Sequence, residues 1–319
     1  MAEVSARGSE RAISGERPAR SSIWYSPGFV ALLLIAPVQI LLLTLTVFPF
    51  LLSIYVSLTG WQPQFGDWWQ AEITFPKNYL DLLTADKRFH DAVARTLLIS
   101  VVCLSLEFLL GLLLAVTLAG QVRGRRLLQS VLLTPMMMMP VVVGYTFFLL
   151  FQRQGPLSAL FGWALGQPGQ VNWLSTPSLA LFGIVVTEVW HWTPLFMLIL
   201  LSGLTSLPQN PIRAAMVLGA SRWQIFWHIE LPMLMPLIVV AFVIRGMEVI
   251  KLFDEVYVMT RGGPGTTTET ISTYLQQLAF GDFRLGYAAA AATVVLIVTV
   301  VVIYQGLRPI RNRVATERG

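Results

Sequence analysis

Apolar residues dominate six stretches of the chain, at roughly 29–57, 96–119, 128–151, 178–204, 233–258 and 285–306. About 20 such residues in a helix cross the hydrocarbon of a bilayer. None of the six alternates apolar with polar as a barrel strand does, and unpaired backbone groups are too costly in lipid for an open structure. Each stretch therefore predicts a spanning helix, and the expected fold is an all-α integral membrane protein with six transmembrane helices. The first stretch is long and contains Pro37 and Pro49, so a tilt or kink is expected there.

Composition agrees with the pattern. Hydrophobic residues make up 55% of the 319, charged residues only 12%, and the mean hydropathy is +0.67. A soluble domain carries about a quarter of its residues as charges. The net charge of +5 is thus read as a topology signal rather than as a nucleic-acid surface. Cys103 is the lone cysteine, inside an apolar run, which excludes a disulfide framework and a thiolate metal site. It is expected to be packed and inert. Residues 1–22 are polar and rich in Ser, Gly and Arg, the composition of a disordered tail. The apolar run that follows is too long for a signal-peptide core and is expected to be retained as a span.

The basic residues orient the bundle. With both termini in the cytoplasm, the inner segments hold thirteen: Arg7, Arg11, Arg17, Arg20, Arg123, Arg125, Arg126, Arg213, Arg222, Arg308, Arg311, Arg313 and Arg318. The outer segments hold seven, namely Lys77, Lys87, Arg88, Arg95, Arg153, Arg261 and Arg284. Short loops dominate the positive-inside rule, and the short GRR loop at 124–126 is the strongest single indicator.

Between the fourth and fifth stretches, on the inner side of this arrangement, lies RAAMVLGASRWQIFWHIELPMLMP at 213–236. Asn210-Pro211 predicts a helix start, and the helix is expected to run to Gly219. Ser221-x-x-Gln224 fits a capping box that opens a second short helix carrying Ile225, Phe226 and Ile229. Ala215 and Gly219 give the first helix a small-residue face that another surface can approach closely. A loop packed against its own bundle satisfies the same residues.

This elbow resembles the EAA loop of binding-protein-dependent ABC importer permeases. The matching residues are Ala214, Ala215, Gly219, Ala220, Phe226, Ile229, Leu231 and Pro232; Arg213 stands where an acidic residue usually opens the motif, and Leu218 where an aspartate is common. The segments KLFDEVYVMTRGGPGTTTETISTYLQQLAF, NYLDLLTADKRFHDAVARTL and WHWTPLFMLILLSGL are similar to those of the carbohydrate-type permeases. The resemblance covers most of 75–306. It implies the type I importer permease fold, with a first helix and outer loop over 23–92, a permease core over 93–306 and a basic cytoplasmic tail over 307–319. It further implies that Arg213, Ala214, Ala215, Gly219, Ala220, Phe226, Ile229 and Pro232 couple the chain to a cytoplasmic ATPase. The implied partners are a second homologous permease, two ATPase subunits, an extracytoplasmic solute-binding protein, a carbohydrate or polyol and the bilayer of a bacterial inner membrane. No nucleic acid is expected.

The chain itself contains no G-x-x-x-x-G-K-[ST] sequence, so no cofactor is expected in it, and ATP and Mg would be held by the partner ATPase. His90, His191 and His228 lie far apart with no H-E-x-x-H spacing, and no metal is expected. GGPG at 262–265 predicts a turn, with Thr266 and Glu269 forming a capping box for a short outer helix through Leu278. Ionisable residues within the spans remain. Glu107 is isolated, Glu188 and His191 are three apart, and Arg245, Glu248, Lys251, Asp254 and Glu255 have spacings that permit pairing along one helix. Charges at membrane depth face a bundle interior or a watery path. They are expected either to form internal ion pairs or to line a substrate path, with Glu188, Trp190, His191, Glu248, Lys251 and Asp254 as the candidates and Trp190 and Trp192 as stacking faces. A secondary transporter would favour an inverted repeat and a membrane enzyme a clustered catalytic set; neither is visible.

Overall fold

A computed structural model describes residues 27–120, 122–164 and 171–316, so the tail expected over 1–22 lies outside the described residues. The chain forms two compact units that divide between Ser53 and Ile54. The described part of the first is helical: α1 (Pro27–Leu42) runs through a π-helical turn at Leu43–Val47 into α2 (Phe48–Ser57), whose last four residues belong to the second unit. The wider turn has a local cause. Proline lacks an N–H and its ring collides with the carbonyl four residues earlier, and the residue four before Pro49 is Leu45, inside the π turn.

In the second unit follow α3 (Lys77–Thr84), α4 (Lys87–Ala119), α5 (Arg125–Leu133), α6 (Pro140–Phe151), α7 (Pro156–Ala164), α8 (Pro177–Ser206), α9 (Gln209–Val217), α10 (Arg222–Ile225), α11 (Leu231–Ile250), α12 (Asp254–Met259), α13 (Ile271–Gln276) and α14 (Leu285–Thr316). Among the described residues there is no strand, only an isolated antiparallel bridge between Thr59 and Ile73. Among the described residues, five helical stretches are long and apolar enough to cross a membrane: Leu33–Ser57, Lys87–Ala119, Pro177–Ser206, Arg222–Met259 and Leu285–Gly306.

The expected helix over 128–151 is not continuous. It ends at Leu133, passes through a tight 3₁₀ turn at Pro135–Met137 and restarts at Pro140. Met138 and Met139 are extended there, as the residue before a proline prefers. The last segment also departs from expectation, since α14 carries helix through Thr316 into the stretch read as a tail.

The bundle is centred on α4, α8 and α11. Ala115, Leu118, Phe196, Met197, Leu200, Leu234, Ile238 and Ala241 form one buried cluster, and Ile99, Cys103, Ile184, Val189 and Val249 form a second. Cys103 is fully buried. The close approach of α4 to α8 depends on Gly111, where an added Cβ would lie 2.5 Å from Phe196 Cβ and 2.9 Å from the Met197 amide nitrogen. Small residues allow such backbone contact in membranes. Gly111→Ala is expected to destabilise the protein by about 1–3 kcal/mol through overpacking, whereas Gly246→Ala, which meets nothing within 4 Å, should not. Thermal unfolding of the two detergent-purified variants checks this.

Candidate functional site

Arg245 on α11 is the hub of the buried polar groups. At 1% exposure it is the largest fully buried side chain among the described residues. Its Nε and Nη2 donate to the two oxygens of Glu107 on α4, at 2.8 and 2.9 Å, and Nη2 also donates to Glu188 Oε1 on α8. The Trp192 ring covers the guanidinium, 4.7 Å from Cζ to the centroid. Glu107 is therefore not isolated, and Arg245 pairs across the bundle rather than with Glu248 on its own helix. One turn along α8, His191 Nδ1 lies 3.1 Å from Glu255 Oε1 of α12. His191 Nε2 lies 3.2 Å from the Met138 carbonyl and donates to it, since a carbonyl only accepts. The broken helix segment is thus tied to α8 through its exposed backbone.

These contacts redistribute the candidate path residues. Glu188 and His191 are 1% and 0% exposed and are engaged with protein groups. Trp190 is 43% exposed and packs against Phe147, centroids 5.3 Å apart. Glu248 and Lys251 form an i, i+3 pair at 3.2 Å with both side chains exposed, and Asp254 begins α12. A cleft of about 1120 Å³ opens beside Trp190, walled by Leu98, Leu106, Leu110, Phe182 and Val185. Among the described residues that line it, Thr134, Thr193 and Trp190 alone carry polar side-chain groups, too few for a hydroxyl-rich solute and well suited to acyl chains or another apolar helix.

A second polar network lies at the other end of α4. Asp86 caps that helix by accepting from the Phe89 amide at 2.8 Å, and its other oxygen accepts from the hydroxyls of Tyr274 (2.6 Å) and Tyr287 (2.9 Å). Burial alone would raise the Asp86 pKa. The bonds from Tyr274, Phe89 and Tyr287, with the nearby Arg284 charge, outweigh it and hold the carboxyl below its usual range. Burial and the same carboxylate push the Tyr274 hydroxyl well above its ordinary value. Arg88 clasps both oxygens of Glu269 at 3.0 and 2.6 Å, and Arg95 donates to the Glu269 carbonyl at 3.0 Å. With its carboxylate committed to Arg88, Glu269 does not close a box with Thr266. The cap of α13 is Thr270, boxed with Thr273.

At the elbow, α9 starts at Gln209, behind Pro208, two residues before the expected Pro211, and no side chain caps it. The glycine break is as expected. Gly219 has φ +83°, in the left-handed region open to glycine. The Ser221–Gln224 capping box is present, with bonds of 2.8 and 3.3 Å. A π-helical turn at Phe226–Glu230 again precedes a proline, Pro232. Ile212 and Ile225 are buried. Arg213, Ala214 and Pro232 are exposed, and Ala215, Ala220, Phe226 and Ile229 half-buried. The tip is apolar and open: Val217 and Leu218 are 88% and 87% exposed, and Trp223 is 70% exposed.

Residues 107–311, which hold the Glu107–Arg245–Glu188 cluster and the elbow, match the model of the family described as binding-protein-dependent transport system inner membrane component. The chain is 39% identical over 253 residues to a probable ABC transporter permease protein, y4oQ, of Sinorhizobium fredii, covering 79% of this chain and 80% of that one. It is 33% identical to the trehalose/maltose transport system permease protein MalF of Thermococcus litoralis, over 83% and 87% of the two chains. With the sulfoquinovosyl glycerol transport system permease protein SmoG of Agrobacterium fabrum it shares 31% identity over 89% and 91%. A chain of a bacterial ABC transporter involved in the import of the acidic polysaccharide alginate has the same fold, with a TM-score of 0.75 at 22% identity over 89% of this chain and 96% of that one. This chain belongs to the inner membrane components of binding-protein-dependent transport systems.

Proposed function

We propose that the chain is one permease subunit of an ATP-binding-cassette importer for a carbohydrate or polyol, and that it forms half of the translocation path. A second homologous permease would complete the path, a solute-binding protein would deliver the solute outside, and two ATPase subunits holding ATP and Mg would drive the cycle from inside. The elbow at 209–232 carries this reading. Two short helices broken at Gly219 present Val217 and Leu218 almost fully exposed, an apolar tip with no use inside its own bundle. The trehalose/maltose and sulfoquinovosyl glycerol systems served by related permeases support the solute class.

In this arrangement the broken 125–151 segment supplies the sixth crossing and both termini are cytoplasmic. Movement of the ATPases against the elbow would rock α8 and α11, which flank it, and alternate the access of the path. The path itself draws on Glu248 and Lys251, which are exposed, and on half-buried Asp254, while Glu188 and His191 buttress it from behind. Topology is the first test. Gln209 and Thr266 are both exposed. In a background where Cys103 is replaced, an impermeant maleimide on intact cells is expected to label Thr266→Cys and to spare Gln209→Cys until the membrane is opened. The reverse pattern would remove the elbow from the ATPase side and end the proposal.

A further inference from the structure

Five ionisable side chains lie together at membrane depth: Glu107, Glu188, Glu255, Arg245 and His191, each at most 3% exposed. With a neutral histidine, three carboxylates against one guanidinium leave two uncompensated negative charges. Such a charge is expensive in a low-dielectric interior. Three further observations locate where the compensation belongs. Glu188 uses Oε1 to accept from Arg245, while its Oε2 is buried without a partner. In the neutral form, His191 donates Nε2–H to the Met138 carbonyl, and its Nδ1 then turns a lone pair toward Glu255 Oε1, 3.1 Å away. Ligand atoms of Glu188, His191 and Glu255 all lie within 4.8 Å of one another.

We propose that Glu188, His191 and Glu255 form a binding site for one divalent transition-metal ion of the zinc or manganese class. One imidazole nitrogen and two carboxylate oxygens suit such ions, and a single divalent charge brings the cluster to neutrality. The imidazole is oriented as metal-binding histidines are, its second nitrogen donating to a backbone carbonyl. Metal–ligand bonds of about 2.0–2.2 Å set tetrahedral ligand atoms about 3.3 Å apart; Nδ1 and Glu255 Oε1 stand at 3.1 Å, leaving the Glu188 carboxylate to close in. Glu188 then bridges, one oxygen on Arg245 and the other on the ion. The ion would fasten α8 to α12 beside the Met138 carbonyl, where the broken helix meets them.

The test is metal content and thermal stability of the full-length chain, purified in detergent with its accompanying subunits, stripped with a chelator and reloaded. About one Zn²⁺ or Mn²⁺ per permease chain is expected, with a raised unfolding temperature, and Mg²⁺, which favours all-oxygen sites, should do neither. Glu255→Gln and His191→Gln, which keep the side-chain volume, should each lower retained metal about 10-fold or more. Wild-type protein that holds no metal and gains no stability from Zn²⁺ or Mn²⁺ would overturn the proposal and assign the compensation to protons. Retention undiminished in both variants would also overturn it, by placing the ion elsewhere. The wild-type measurement decides the question even where a variant fails to fold.

Discussion

Replacing Arg245 by methionine is expected to cost about 3–5 kcal/mol and to leave little folded protein in the membrane. The substitution preserves most of the side-chain volume but strands Glu107 and Glu188, which are 0% and 1% exposed and both bound to the guanidinium. Breaking a buried pair from one side leaves an uncompensated charge, and that charge, rather than the lost attraction, sets the cost. The distinction is testable. In chelator-treated protein, a triple variant, Arg245→Met with Glu107→Leu and Glu188→Met, removes the stranded charges together and should recover most of the lost stability, since apolar replacements of whole buried ion pairs are often neutral. Melting of detergent-purified protein should therefore rank the wild type and the triple variant well above Arg245→Met. Equal damage in the single and triple variants would show that the ions hold the packing of α4, α8 and α11 by geometry instead.

The second large effect is expected at the elbow and should leave the fold intact. Val217 is 88% exposed, so Val217→Arg should change the stability of the chain by no more than about 0.5 kcal/mol. If Val217 and Leu218 seat in a pocket of the ATPase, a charge placed there should weaken association by about 2 kcal/mol or more, roughly 30-fold. Ala215→Trp, half-buried one turn before Gly219, should act in the same direction by holding the partner away from the backbone. Gly219→Leu is a poorer probe, because φ of +83° adds a backbone cost of about 1–2 kcal/mol to any effect on the partner.

Much of this was legible because it is local. The Ser221–Gln224 box needs four residues and appears as spelled, and the apolar stretches mark all five long helical stretches. The third stretch misled because hydropathy measures side chains, whereas the break at 133–140 is a backbone event written by Pro135 and Pro140. The partners of Arg245 were hidden for a different reason. Spacing along one helix offers only neighbours three or four residues away, and Glu107 is 138 residues distant. One signal was available: Glu107 was without a partner in apolar surroundings, and Glu248, the neighbour expected for Arg245, stands equally three residues from Lys251, which left Arg245 free to answer Glu107. In TTTETIST the expected cap was Thr266 with Glu269, and the structure caps the helix four residues later, with Thr270 and Thr273. The choice fell to Thr270 once Arg88, on another element, had claimed Glu269.

ATP-driven carbohydrate uptake tests the central claim most directly. The chain would be reconstituted in proteoliposomes with the sister permease, ATPase and binding protein proposed as its partners, and wild type compared with Val217→Arg and Ala215→Trp. Uptake is expected for the wild type only when ATP is inside and the binding protein outside, with both variants inserting normally yet losing the ATPase or hydrolysing ATP without uptake. Full uptake by both variants, or wild-type uptake that needs neither ATP nor the binding protein, would contradict the account.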